Sequence, residues 1–196
     1  MVRWYHLIIS AYGFWLPNDP RGSWSEFVWA WELRKFGPAT KTAEKRSLAK
    51  DPHDVQVRRA AKCALKYPPV RFNARQRDCI AIGFDEAASA GGYNVFACCV
   101  SFDHAHLVIE RHERTIEKIA GHLKAKASMA LDRAGVHPLA VHRTPAGRAP
   151  SPWSEGCWSV FIRDVDQLRA AIRYVERHPE KEQLPFVVYP FVQLFA

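Results

Sequence analysis

Apolar residues come in short runs along this chain, separated by turn residues, and their spacing switches between strand and helix periods. Residues Trp4 to Ala11 (WYHLIISA) form an apolar run that predicts a first strand. From about Pro17 to Pro69 the pattern weakens, broken early by Pro17, Pro20 and Gly22. That stretch reads as an insertion, with one helix predicted over Asp54 to Tyr67 and ended by Pro68 and Pro69. A stronger helix starts at Asn73, with Gln76 as its capping partner. Cys79, Ile80, Gly83, Phe84, Ala87 and Ala88 then recur at three and four, and Gly91 and Gly92 stop it. YNVFACCV (93–100) and HAHLVIE (104–110) predict two strands, and the three residues between them predict a hairpin. A further helix spans about Thr115 to Ala134, with Ile116, Ile119, Leu123, Ala127 and Leu131 as its stripe. CWSVFIRD predicts a last strand. The final helix begins near Asp164, with Gln167 at the capping-box position, and ends near Arg177 because Pro179 disfavours helix just before it.

The predicted order is strand, helix, strand, strand, helix, strand and a closing helix. That is the split βαβ, or ferredoxin-like, order. The expected class is α+β: a four-stranded antiparallel sheet, an N-terminal helical insertion over about 17–69, and a C-terminal helix bearing Tyr174. All of residues 1–196 are expected to form a single domain. The fold hosts many functions and licenses none by itself.

Composition narrows the partners. Apolar residues make up 48% of the 196, enough for a real core. The formal charge of +8 points to a polyanion, with nucleic acid ahead of an anionic membrane surface. No apolar run approaches a membrane span, and the first residues lack the features of a signal peptide. The five cysteines form no C-x-x-C pair and no disulfide framework. The expected location is the cytoplasm, with no membrane partner.

The chemistry gathers in SFDHAHLVIE (101–110). Residues two apart in a strand share a face, so His104 and His106 point the same way with Cα atoms about 7 Å apart. Such a pair can hold one metal ion, or can be two hydrogen-bonded histidines at a strand end. On the last helix, Tyr174 flanks the apolar face and His178 follows it by four, so the two can address one small volume. Tyr174 also suits an ordinary boundary tyrosine. Taken together, two histidines, a phenol and another potential ligand suggest phosphodiester cleavage. The ion would polarise a phosphate oxygen and the Tyr174 phenol would attack phosphorus.

These segments resemble a known family. FDHAHLVI resembles the His–hydrophobic–His motif of the single-tyrosine (HUH) transposases, and RYVERHPEKEQL resembles the tyrosine helix of the REP-associated members. PWSEGCWSVFIRD and AYGFWLPNDPRGSW are similar to further segments of that group. The resemblance implies His104 and His106 as metal ligands, Tyr174 as nucleophile and His178 at the third ligand position, where relatives often carry Gln or Asn. It also implies Mg or Mn dependence, a covalent 5′-phosphotyrosine intermediate on single-stranded DNA, and a homodimer. Phe102 stands where the family usually has Pro, and the 17–69 insertion has no counterpart in the shortest relatives.

Single-stranded or hairpin DNA is therefore the expected partner. Candidate contacts are Lys118, His122, Lys124 and Lys126 on the third helix, and Arg143 and Arg148 in the following loop, each equally suited to a solvated surface. Trp15, Trp24 and Trp153 are candidate stacking platforms. Alternatives from the same residues are a domesticated binder or nuclease of repeated hairpins, and a metal-independent RNA endonuclease using histidine acid–base chemistry.

Overall fold

The computed structural model describes residues 2–14, 16, 28, 31–38 and 53–195. Four strands, β1 (Trp4–Ser10), β2 (Val95–Val100), β3 (His104–Glu110) and β4 (Trp158–Ile162), form one sheet in the order β2-β3-β1-β4. Every strand pair in it is antiparallel. The class is α+β, as the alternation of periods predicts.

The helices begin where local chemistry supplies partners for orphan backbone N–H groups. α1 (Val55–Cys63) starts at Asp54, whose carboxylate accepts from the N–H groups of Gln56 and Val57. It ends short of the predicted Tyr67. α2 (Ala74–Gly91) carries the full Asn73–Gln76 capping box and stops at Gly92, which adopts the left-handed conformation. α3 (Ile116–Arg133) follows β3. α4 (Val165–Glu176) starts at Asp164, which accepts from the Gln167 N–H. The chain breaks at Arg177 and resumes as a one-turn helix, α5 (His178–Lys181), so Tyr174 and His178 lie on either side of a break. Pro179 explains it: a proline fits the first turn of a new helix and not the interior of a continuing one.

Alternation along the strands assigns the two faces of the sheet. Leu7, Ile9, Leu107 and Ile109 point into the larger core with Phe84 of α2 and Leu123 of α3. Trp4, Ala97, Cys99 and Val108 point the other way, against Leu168 and Val175 of α4. α2 and α3 therefore cover one face and α4 the other. Cys98 and Cys99 divide between these cores as a period of two requires. α2 and α3 cross closely at Gly83, where an added Cβ would lie 2.4 Å from the Ala127 Cα.

Of the insertion, a 3-10 segment (Trp31–Phe36) and α1 are described, and Leu16, Leu33 and Ala61 form a small separate cluster there. Trp15 and Trp24 lie outside the described residues. Trp153 is a core residue instead of a stacking platform. It is 3% exposed, packs on Phe72 and Phe84, and donates from Nε1 to Ser128.

Candidate metal centre beside Tyr174

His104 and His106 stand on the α4 face of β3, opposite Ser10 and Ile8 of β1. α5 brings His178 down onto them. All three are buried, at 8%, 3% and 8% exposure. One ring nitrogen from each lies within 4.8 Å of the others. His104 Nε2 is 3.0 Å from His178 Nε2. His106 Nε2 and His178 Nδ1 are buried without a hydrogen-bond partner. Buried polar atoms normally have one, so the orphan His106 Nε2 marks a place for a cation or water. The triad can hold a divalent metal.

The outer nitrogens of two of these rings are held. Asp103 Oδ1 lies 2.8 Å from His104 Nδ1, the carboxylate–histidine arrangement that turns Nε2 inward. His6, on β1, places Nε2 2.9 Å from His106 Nδ1. It pairs with Val108 and so sits diagonally across from His106 on the same face. Burial, then the neighbouring His178, pushes His6 down to about 4. Burial, then His104 and His6, pushes His106 well below the usual histidine range. Both rings are therefore neutral near pH 7, the form in which imidazole binds metals.

Tyr174 lies against the cluster. Its ring centroid is 5.6 Å from those of His6 and His106 and 5.7 Å from that of His178. It remains 42% exposed, so a ligand can reach it. Lys181 Nζ stands 4.3 Å from the ring centroid. Burial raises the phenol pKa, and the Glu182 carboxylate and Cys99 add to the rise. A cation on the histidines would act in the opposite direction.

Glu182 completes the surroundings. The Ser101 hydroxyl donates to its Oε2, and its Oε1 lies 3.6 Å from His178 Nε2. Burial opposes its ionisation, but His178 beside it and the neighbouring His104 outweigh burial, so its pKa is lowered. An open pocket of 260 Å³, lined by Arg71, Phe102, Asp103 and Glu182, lies at this end of β3. The guanidinium carbons of Arg71 and Arg77 are 4.3 and 4.9 Å from the Phe102 ring centroid.

The candidate DNA contacts lie elsewhere. Lys118, His122, Lys124 and Lys126 belong to α3, which packs on the face opposite α4. Lys124 is half-buried and donates to the carbonyls of Ser154 and Gly156, so it ties down the loop before β4. The His122 ring bonds the Tyr93 hydroxyl, 2.9 Å away. Arg143 pairs with Asp132 and donates to the Gly147 carbonyl. Lys118 and Arg148 are exposed, and Lys126 is half-buried.

Pattern reading missed His6 and Glu182. Glu182 follows His178 by four, a spacing visible in the sequence. His6 has no such signal, because the register of β1 on β3 puts it there.

No family model matches the chain, and no curated protein matches it. Among solved structures it is similar to one described as a REP-associated tyrosine transposase bound to a REP hairpin. That likeness has a TM-score of 0.46 at 13% identity, over 67% of this chain and 81% of the other. Among the described residues, no helix is long and apolar enough to cross a membrane.

Proposed function

We propose that this protein nicks single-stranded DNA through Tyr174, with a divalent cation held by His104, His106 and His178, and can rejoin the broken end. One observation carries the reading: a half-exposed phenol lies against three buried imidazoles whose donor atoms converge. Two of those donor rings, His104 and His106, are oriented by Asp103 and His6.

In the first step the Tyr174 oxygen attacks phosphorus and gives up its proton to water. The bond from phosphorus to the 3′ oxygen breaks, and that oxygen takes a proton from water. The strand stays attached through its 5′-phosphate, and a free 3′-OH can later reverse the attack. The bound cation would draw charge from a non-bridging phosphate oxygen and favour the phenolate. Lys181 offers the phosphate a counter-charge at the phenol, and Arg71 offers another at the adjoining pocket. His6 and Asp103 keep the histidine rings turned toward the cation. Mn²⁺ suits nitrogen-rich donors better than Mg²⁺, which prefers oxygen ligands and retains water.

A randomised single-stranded DNA library, incubated with protein and Mn²⁺ and resolved under denaturing conditions, tests this reading. The expected result is a covalent protein–DNA adduct that Tyr174→Phe abolishes while DNA binding persists. An adduct of equal yield from Tyr174→Phe would exclude this nucleophile.

A further inference from the structure

Glu182 stands beside His178 and on the Asp103 side of His104. We propose that it is a fourth protein ligand of the same cation, making the centre three imidazoles and one carboxylate. The inference rests on the cation placed on the histidines above.

Spacing is the first support. Donors bound to one ion at about 2.1 Å lie about 3.0 Å apart in adjacent octahedral positions and about 3.4 Å apart in tetrahedral ones. His104 Nε2 and His178 Nε2 are 3.0 Å apart, and His178 Nε2 and Glu182 Oε1 are 3.6 Å apart. Glu182 also groups with Asp103 and His104 within 4.8 Å, a set that adjoins the three histidines through His104. A closed charge-assisted hydrogen bond would be about 2.7–2.9 Å long, so at 3.6 Å Oε1 and His178 are a loose ion pair.

Orientation is the second support. Ser101, fully buried at the end of β2, donates to Oε2, which turns Oε1 toward the histidines. Ligating carboxylates are commonly fixed in this way through their second oxygen. Asp103 is the other carboxylate within reach, and its Oδ1 is taken up by His104 Nδ1. Glu182 therefore supplies the hard oxygen donor that three imidazoles lack. Three imidazoles alone suit Ni²⁺ or Zn²⁺, and a carboxylate broadens the set toward Mn²⁺.

Calorimetric titration of the metal-free chain with Mn²⁺ and, separately, Ni²⁺ reads this without DNA. Glu182→Gln keeps the size of the side chain and the Ser101 contact. It should weaken Mn²⁺ binding by about tenfold or more, and Ni²⁺ binding by much less. Retained Ni²⁺ binding also shows that the variant is folded. Unchanged Mn²⁺ affinity overturns the inference, and so does an equal loss for both metals. A wild-type protein that takes up no Mn²⁺ overturns it together with the metal centre. Tyr174→Phe should bind both metals normally. If the wild type shows Glu182-dependent Mn²⁺ binding but forms no DNA adduct, this inference stands and the nicking reading falls.

Discussion

Acid should destabilise the metal-free protein through His6 before any carboxylate contributes. Folding lowers the His6 pKa from 6.5 to about 4, chiefly by burial. Between those values the unfolded chain binds a proton that the folded chain refuses. Stability is therefore fully present above pH 6.5 and falls as pH drops toward 4. One proton is worth about 1.4 kcal/mol per pH unit, so the window from 6.5 to about 4 amounts to about 3 kcal/mol. His106, also lowered chiefly by burial, adds to the same slope. Glu182 is lowered from 4.5, so its contribution is lost only below that value. The assay is urea unfolding in chelator at half-unit steps from pH 7.5 to 4.5. A loss of this size moves the urea midpoint by about 1–3 M. His6→Gln removes the titration and leaves an amide that can still meet His106 Nδ1. Its curve should be shallower by up to one proton across the window. A wild-type midpoint that is flat from pH 6.5 to 4.5, or a His6→Gln profile of identical slope, would refute the argument.

Two more expectations concern packing and DNA contact. Gly83→Ala should destabilise the fold by about 1–3 kcal/mol, read as a lower urea midpoint, because its Cβ would meet Ala127 backbone at 2.4 Å. The better helix propensity of Ala returns only about 1 kcal/mol of that, and an unchanged midpoint would mean that the crossing of α2 and α3 is looser than described. Lys181→Ala and Arg71→Ala should each flatten the plot of log affinity for single-stranded DNA against log salt by about 0.7. If the pair Lys118→Ala and Lys126→Ala flattens it instead, the DNA runs over α3.

Local chemistry in the chain specified the starts and stops of its main helices. The Asn73–Gln76 box, the Asp164 cap and Gly92 each act within a few residues, so α2 and α4 were readable as strings. Period-two alternation put His104 and His106 on one face before any partner strand was known. The spacing of four from Tyr174 to His178 survived even though the helix breaks between them, since one turn of α5 keeps the rings 5.7 Å apart. What lay out of reach depends on pairing across long separations. The antiparallel register of β1 on β3 brings His6 to His106, a hundred residues away. Packing decided that α3 covers one face of the sheet and α4 the other, so the cations of α3 and the histidine cluster are separated by the sheet. The same packing buried Trp153 and gave Lys124 two carbonyls to hold. A side chain's residue type and local spacing follow from sequence, but its partners depend on which surfaces the folded chain brings together.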